Sequence, residues 1–296
     1  MAHFLLRGER IEAGPVAPGL HLVATPIGNL GDMTIRALDT LASADIVLAE
    51  DTRVTKGLLS HFGISTPLWS YHDHNAAGAE AEILARLARG ETLALVSDAG
   101  TPIVSDPGQR LVQATLAAGL PVTTEPGASS VLAALVLSGL HGERFYFEGF
   151  LPSKGGERRR RIAQIASLKV TLILFEAPHR LVETLADLAS LLGERDAAMA
   201  RELTKKFETV MRAPLTELAT HFAEQGAPKG EIVLVIAPPA PDAVPDEGRI
   251  DEALRAALRQ HTQRDAVEIV AGELGLKRRE VYARALRLAE RSDGTA

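Results

Sequence analysis

The sequence predicts an α/β protein of two domains followed by a small helical module, and three patterns carry that prediction. Short, almost unbroken apolar strands alternate with helical segments through the first half, which argues for a mostly parallel sheet covered on both faces. The second half changes rhythm: residues 197–203 and 207–212 read as strands with no helix-length segment between them, so they form a hairpin and that sheet is mixed. Beyond Pro238 the strand signal stops. A Pro- and Asp-rich stretch at 239–248 reads as a semi-rigid linker, and the residues after it are apolar only at helical spacing.

The first domain, 19–139, has strands at 20–25, 46–49, 68–71, 93–96 and 122–124. Its helices fall at 34–42, with Ile35, Leu38 and Leu41 on one face, at 76–89, stopped by Gly90, and at 109–118, stopped by Gly119. The second domain, 140–238, has strands at 145–150, 170–175, the hairpin, and 231–237. Helices lie at 157–167 and 181–192, and another starts at Pro214, a residue suited to a first helical turn. The helical module, 249–296, places Leu254 and Leu258, then Val267, Val270 and Leu274, then Val281, Ala285 and Leu288 on three helices, with Gly275 between the last two. Residues 1–18 form a leader extension ahead of the first strand.

Composition narrows the function. With 296 residues, 46% hydrophobic, there is apolar material for two cores. The chain has no cysteine, which excludes disulfides, thiolate metal sites and cysteine nucleophiles and fits a cytoplasmic setting. The N-terminal apolar run is too short for a signal peptide, and the longest apolar stretch, 128–140, is broken by Ser129, Ser130 and Ser138 and falls short of a membrane span. A formal net charge of -6 argues against a broad basic surface, so a nucleic-acid partner would be held by local patches. Two basic runs stand out: Lys154 with Arg158, Arg159, Arg160 and Arg161 against Glu157, and Lys277-Arg278-Arg279. One such run is ordinarily a solvated face; two in an acidic chain point to phosphate contacts.

Three strand ends carry small-residue loops. Thr25-Pro26-Ile27-Gly28-Asn29-Leu30-Gly31 lets a ligand approach the backbone, or is a tight turn, and it is not the dinucleotide fingerprint GxGxxG. Ser97-Asp98-Ala99-Gly100-Thr101-Pro102 offers a carboxylate and the exposed amides of Gly100 and Thr101 to an amine or to ribose hydroxyls. Glu125-Pro126-Gly127-Ala128-Ser129-Ser130 leads into an apolar helix whose first amides are available, with Ser129 or Ser130 as cap. Polar clusters also follow strands at Glu50-Asp51-Thr52-Arg53, Tyr71-His72-Asp73-His74-Asn75 and Phe175-Glu176-Ala177-Pro178-His179-Arg180. His72 and His74 do not make a metal site, because alternate residues of a strand do not converge unaided on an ion and no third ligand is evident; no metal is expected.

The stretches TPIGNLGD, AEDTR, SDAGTP, PGASS, FEAPHR and KGEIVLVI, in this order and spacing, resemble the ribosomal RNA small-subunit methyltransferase I family of the tetrapyrrole methylase superfamily. The resemblance covers roughly residues 20–238 and extends into the tail. It implies a two-domain class III methyltransferase fold, with S-adenosylmethionine held in the cleft between the domains of each subunit of a homodimer. The implied reaction is 2'-O-methylation of a cytidine ribose in small-subunit (16S) ribosomal RNA. It also implies that Pro26 lines the cofactor pocket, that Asp98, Gly100, Thr101, Ala128 and Ser129 hold the cofactor's polar groups, and that Phe175 and Gly230 close the pocket from the second domain. The tail is similar to a helix-turn-helix-like domain. Two departures stand against the pattern: the leader is longer, and Asp73 replaces a glutamate, which weakens any role for that carboxylate.

A sulfonium methyl group is already electrophilic, so the protein must align a ribose hydroxyl and take its proton. Glu50, Asp51 and His74 are the candidate bases, with Arg53 and Asn75 orienting the nucleotide, because all follow first-domain strands near the expected cleft mouth. A tetrapyrrole C-methyltransferase would share the cofactor loops but has no obvious use for the basic tail. A nucleic-acid-binding regulator without chemistry would need no cofactor pocket.

Overall fold

The computed structural model describes residues 2–72, 76–105, 107–240 and 247–293. By its contacts the chain divides into two units, Met1–Pro238 and Pro239–Ala296.

The first unit contains two five-stranded sheets. Strands β3 (Gly19–Val23), β4 (Ile46–Ala49), β5 (Leu68–Ser70), β6 (Thr92–Val96) and β7 (Val122–Glu125) form the first, in the order β5-β4-β6-β3-β7, all parallel. Their connections are α1 (Ile35–Ser43), α2 (Thr52–His61), α3 (Ala76–Ala88) and α4 (Gln109–Ala117). The connections carrying α1 and α2 run along the sheet in one direction and those carrying α3 and α4 in the other. Right-handed crossovers therefore put the two pairs on opposite faces. The cores agree: Leu38, Leu41 and Leu59 pack with Val47 and Ala94, whereas Ile83 and Leu111 pack with Leu48, Leu93 and Leu95. Two details differ from the sequence reading. Ile35, placed on the buried face of α1, is 60% exposed because the apolar stripe begins one turn later. The polar run at Glu50-Asp51-Thr52-Arg53 is the start of a helix, α2, with Asp51 as its N-cap accepting from the Arg53 amide at 2.8 Å.

The leader is ordered as a hairpin, β1 (His3–Leu6) with β2 (Glu9–Glu12). Its two-residue turn has Arg7 at φ 52 and Gly8 at φ 87, the left-handed pair that suits a twisted hairpin. Phe4 is fully buried beside α1, and the Leu5 amide donates to the Phe62 carbonyl at 2.7 Å, which ties the hairpin to the first sheet.

Strands β8 (Phe145–Phe150), β9 (Thr171–Glu176), β10 (Asp196–Arg201), β11 (Thr209–Pro214) and β12 (Ile232–Ile236) form the second sheet in the order β11-β10-β12-β9-β8. It is mixed, with only β8 and β9 parallel. Alternation along the strands separates two cores. Leu172, Leu174, Met199, Leu234 and Ile236 face α6 (Gly155–Ile165), α7 (Leu181–Leu192) and α8 (Leu215–Gln225). Ile173, Ala198, Ala200, Val233 and Val235 face α5 (Ser130–Ser138) through Val131, Ala134 and Leu135. Thus α5, which the sequence reading groups with the first sheet, packs on the second.

Part of the first basic run, read as a phosphate patch, is structural: Arg158, Arg159 and Arg161 are held in ion pairs, while Lys154 and Arg160 stay exposed. Arg158 is 3% exposed and donates to Asp187 at 2.7 Å and Glu183 at 3.3 Å, while Arg159 pairs with Asp187 and Arg161 with Glu148. These guanidiniums clamp α6 to α7 and β8.

One buried pair makes stability depend on pH. His21 Nδ1 lies 2.9 Å from Glu125 Oε1 and Nε2 lies 2.8 Å from the Ala17 carbonyl. Two acceptors on one ring favour the imidazolium. Burial alone would lower the His21 pKa, but the Glu125 hydrogen bond, the Ala17 carbonyl and the Glu125 charge outweigh it and raise the pKa above its ordinary value. The resulting stabilisation is full below pH about 6.5 and fades as pH rises through the folded-state value. Urea unfolding of the wild type and of His21→Gln should therefore differ most near pH 6 and converge in mildly alkaline solution. A difference that widened with pH would contradict the charged pair.

The second unit holds α9 (Glu247–Leu258), α10 (Gln263–Leu274) and α11 (Arg278–Asp293) around Leu254, Val267, Val270, Val281 and Ala285. Leu258 is 37% exposed, at the edge of this core. Thr262 caps α10, and Asp251 receives both Arg284 Nε and Nη2, at 2.5 and 2.9 Å. Lys277, Arg278 and Arg279 are exposed, with Arg278 3.5 Å from Glu268. Among the described residues no helix is long and apolar enough to cross a membrane.

Candidate active site

Parallel topology explains why three distant loops meet. β6, β3 and β7 are neighbours, so the loops after them leave the same edge of the sheet side by side, where open α/β sheets bind ligands. The loops are stitched together. Thr25 and Gly100 exchange backbone hydrogen bonds of 2.9 and 3.1 Å, Thr25 Oγ1 donates to the Ser97 carbonyl, and Thr101 Oγ1 donates to the Ala128 carbonyl at 3.3 Å. The Gly100 amide is thereby spent on Thr25 and is not the free ligand donor read from the sequence. Its glycine is needed for another reason: at φ +84 a Cβ would stand 3.2 Å from Ile27 Cγ2.

Two adjoining cavities open at this edge. The larger, about 630 Å³, is bounded on the first-sheet side by Ile27, Gly100, Thr101 and Ser129, and on the second-sheet side by Phe150, Phe175, Gly230 and Val233. Phe175 meets Phe147 and Phe150 edge-to-face, with ring centroids 4.9 and 5.6 Å apart, giving an aromatic wall. At the α5 end Ser129 accepts from the Leu132 amide at 3.4 Å and caps the helix, and Ser130 and Val131 of its first turn face the cavity. Beneath Phe175, the buried Glu176 accepts from the Ala177 amide at 2.8 Å and Thr184 Oγ1 at 2.5 Å and lies 3.3 Å from Arg180. The smaller cavity, about 350 Å³, is bounded by Pro26, Gly28, Leu30, Val54, Leu58 and Asp98.

Of the cofactor residues named from the sequence, Gly100, Thr101, Ser129, Phe175 and Gly230 thus line the larger cavity, Pro26 and Asp98 line the smaller, and Ala128 touches the site through its carbonyl. Glu50, Asp51 and Arg53 line neither cavity. They stand at the rim, where the Asp51 amide donates to Asp98 Oδ1 at 3.2 Å. The Arg53 guanidinium, then the Arg53 amide, hold the Asp51 carboxyl down to about 2, far below a useful proton acceptor at neutral pH. His74 and Asn75 lie outside the described residues.

The sequence reading missed a second set. Lys205 Nζ lies 3.0 Å from Glu202 Oε1 and 3.0 Å from Glu231 Oε2, and the Glu231 amide donates to Glu202 Oε1 at 3.0 Å. The Glu231 amide and Lys205 lower the Glu202 pKa; burial opposes, but the two carboxylates raise that of Lys205. Backbone strain gathers here as well: of the five non-glycine residues with positive φ among those described, Ser105 and Glu202 line the larger cavity, and Ile103 and Thr204 are next in sequence to its lining residues Val104 and Lys205.

The all-parallel sheet and the mixed one thus border two adjoining cavities in a two-sheet α/β architecture. The family model "Tetrapyrrole (Corrin/Porphyrin) Methylases" matches residues 19–219, and that of the "RsmI C-terminal HTH domain" matches 242–289. Two relatives called ribosomal RNA small subunit methyltransferase I, from Synechocystis sp. and Mesorhizobium japonicum, are 49% and 46% identical. They match over 91% and 95% of this chain and 98% and 96% of their own lengths. Among solved structures, diphthine synthase superposes with a TM-score of 0.57 at 18% identity, covering 74% of this chain and 90% of its own. The uroporphyrin-III C-methyl transferase of Thermus thermophilus in complex with S-adenyl homocysteine gives 0.52 at 22%, covering 74% and 97%. The chain belongs to the ribosomal RNA small subunit methyltransferase I family, a family of methyltransferases.

Proposed function

We propose that this protein transfers a methyl group from S-adenosylmethionine to the 2'-hydroxyl of a cytidine ribose in small-subunit (16S) ribosomal RNA, in the cytoplasm and as a homodimer. The observation that carries the reading is the pair of adjoining cavities, one sized for a nucleoside-type ligand and the other opening beside it. When bound, S-adenosylmethionine supplies an electrophilic methyl group. The residues of the larger cavity suit such a ligand. Phe150, Phe175, Ile27 and Val233 form apolar walls for a purine and a thioether, and the first turn of α5, behind Ser129, offers amides to a carboxylate. Gly230 keeps the opposite wall thin.

The smaller cavity, with Pro26, Asp98 and the α2 residues Val54 and Leu58, receives the ribose to be methylated. Arg53, exposed at the rim, and Glu50 contact the flanking RNA; Lys277 and Arg279 of the helical unit contact its phosphates. The names of the relatives and the presence of the helical domain favour RNA over a tetrapyrrole as acceptor. Mapping ribose methylation in small-subunit RNA from cells with and without this protein tests the reading. Loss of one methylated cytidine supports it, and an unchanged map contradicts it.

A further inference from the structure

Among the described residues, four line both cavities: Ile27, Ala99, Lys205 and Glu231. Only the last two are ionisable. A group passing from a ligand in one cavity to a ligand in the other must pass this shared wall, so chemistry belongs here rather than at the rim. The geometry points to Glu231 as the catalytic residue that accepts the proton of the attacking ribose hydroxyl, with Lys205 as the positioning residue that holds its carboxylate at the junction. This rests on the methyl-transfer reading above.

The site is built for that purpose. Glu202 and Glu231 are 29 positions apart, but β10 and β12 run antiparallel with Arg201 opposite Ile232, so the next residues, Glu202 and Glu231, face each other just beyond the ladder. One oxygen of Glu202 accepts both the Glu231 amide and Lys205 Nζ, and its backbone is held at φ 52. Glu231 is different. Its carboxylate touches Lys205 through Oε2, it lines both cavities, and its side chain is 72% exposed, which leaves it open to a substrate hydroxyl. Lys205 reaches the junction by crossing Gly28, at φ +147, where a Cβ would collide with the lysine's Cγ. The glycine of the first loop is thus spent on admitting a second-sheet lysine.

In the step, the ribose oxygen bonds to the methyl carbon and the methyl–sulfur bond breaks. Its electron pair stays on sulfur, which becomes a neutral thioether, and the hydroxyl proton passes to Glu231. A cation and an anion become two neutral groups, so the charge balances without a metal or further reactant. Lys205 Nζ, 3.0 Å from a carboxylate oxygen on either side, fixes where the Glu231 carboxylate stands.

The test uses the full chain, small subunits lacking the modification, and labelled S-adenosylmethionine. Glu231→Gln is expected to lower kcat by about 10²–10⁴-fold and to remove the low-pH fall of the rate profile, with S-adenosylhomocysteine affinity unchanged by calorimetry. Lys205→Met should lower kcat with little change in KM, because the Glu231 carboxylate loses the 3.0 Å contact that positions it; Lys205→Arg should restore most of the rate. A measurement without turnover adds to this. With S-adenosylhomocysteine bound, the wild type should hold subunits carrying the target 2'-hydroxyl about tenfold more tightly than subunits reconstituted with a 2'-deoxy target. Glu231→Ala should bind the two alike. A Glu231→Gln enzyme with wild-type rate or an unmoved low-pH fall, or undiminished discrimination in Glu231→Ala, would overturn the assignment while leaving the methyl-transfer reading intact. A wild type that methylates no subunit sinks both.

Discussion

Gly230→Ala is expected to lower methyl transfer by about a hundredfold, whereas Gly226→Ala, equally left-handed in backbone, should leave the rate near normal. Both glycines have positive φ, +110 and +77, so both substitutions carry strain of about 1–3 kcal/mol. They differ in what the new methyl group meets. Beyond Gly226 there is open space; at Gly230 a Cβ would stand 2.5 Å from Glu202 Cγ and 2.6 Å from its Cδ. Glu202 cannot yield without releasing Lys205 and the Glu231 amide. The alanine therefore disturbs the junction of the cavities through one contact. Comparing the two variants by thermal melting and by single-turnover rate separates strain from misplacement. Equal losses of rate in both would show that backbone strain alone matters.

Arg158→Met is expected to cost about 3 kcal/mol of stability, a fall in melting temperature of roughly 10 °C, with no specific loss of RNA affinity. The guanidinium is buried, and removing it leaves Asp187, 14% exposed in its side chain, without its 2.7 Å partner. Its neighbour Arg160 is exposed, so Arg160→Met should change stability by less than about 0.5 kcal/mol. Adding Asp187→Leu to Arg158→Met should recover part of the loss, because it removes a half-buried carboxylate left with only the longer, 3.4 Å contact to Arg159. If Arg158→Met instead folded normally and bound RNA poorly, the run would be a phosphate patch after all.

These two cases mark where the sequence was legible. Periodicity placed the strands of both sheets, the hairpin of β10 and β11 and the three tail helices, because each buries a face in step with its own repeat. That the small-residue loops after β3, β6 and β7 meet was readable, since parallel strands deliver their ends to one edge. What failed was pairing. Arg158 reads as a surface charge until α7 brings Asp187 to it. Asp51 reads as a candidate base, whereas α2 uses it as a cap. Lys205 and Glu231 carry no local motif, and only the β10–β12 register joins them. A single hint existed for α2: an Asp followed by a helix-length run ending before Gly63.

The claim on which all of this depends is that loops of the first sheet and the wall of the second grip one methyl donor between them. Calorimetric titration of S-adenosylhomocysteine into the wild type and into Ser130→Trp, whose indole would fill the cavity at the head of α5, tests it most directly. Saturable binding of one equivalent per chain to the wild type, abolished by the tryptophan in a protein that still melts cooperatively, is the expected result. Undiminished binding to the variant, or none to the wild type, would place the donor elsewhere.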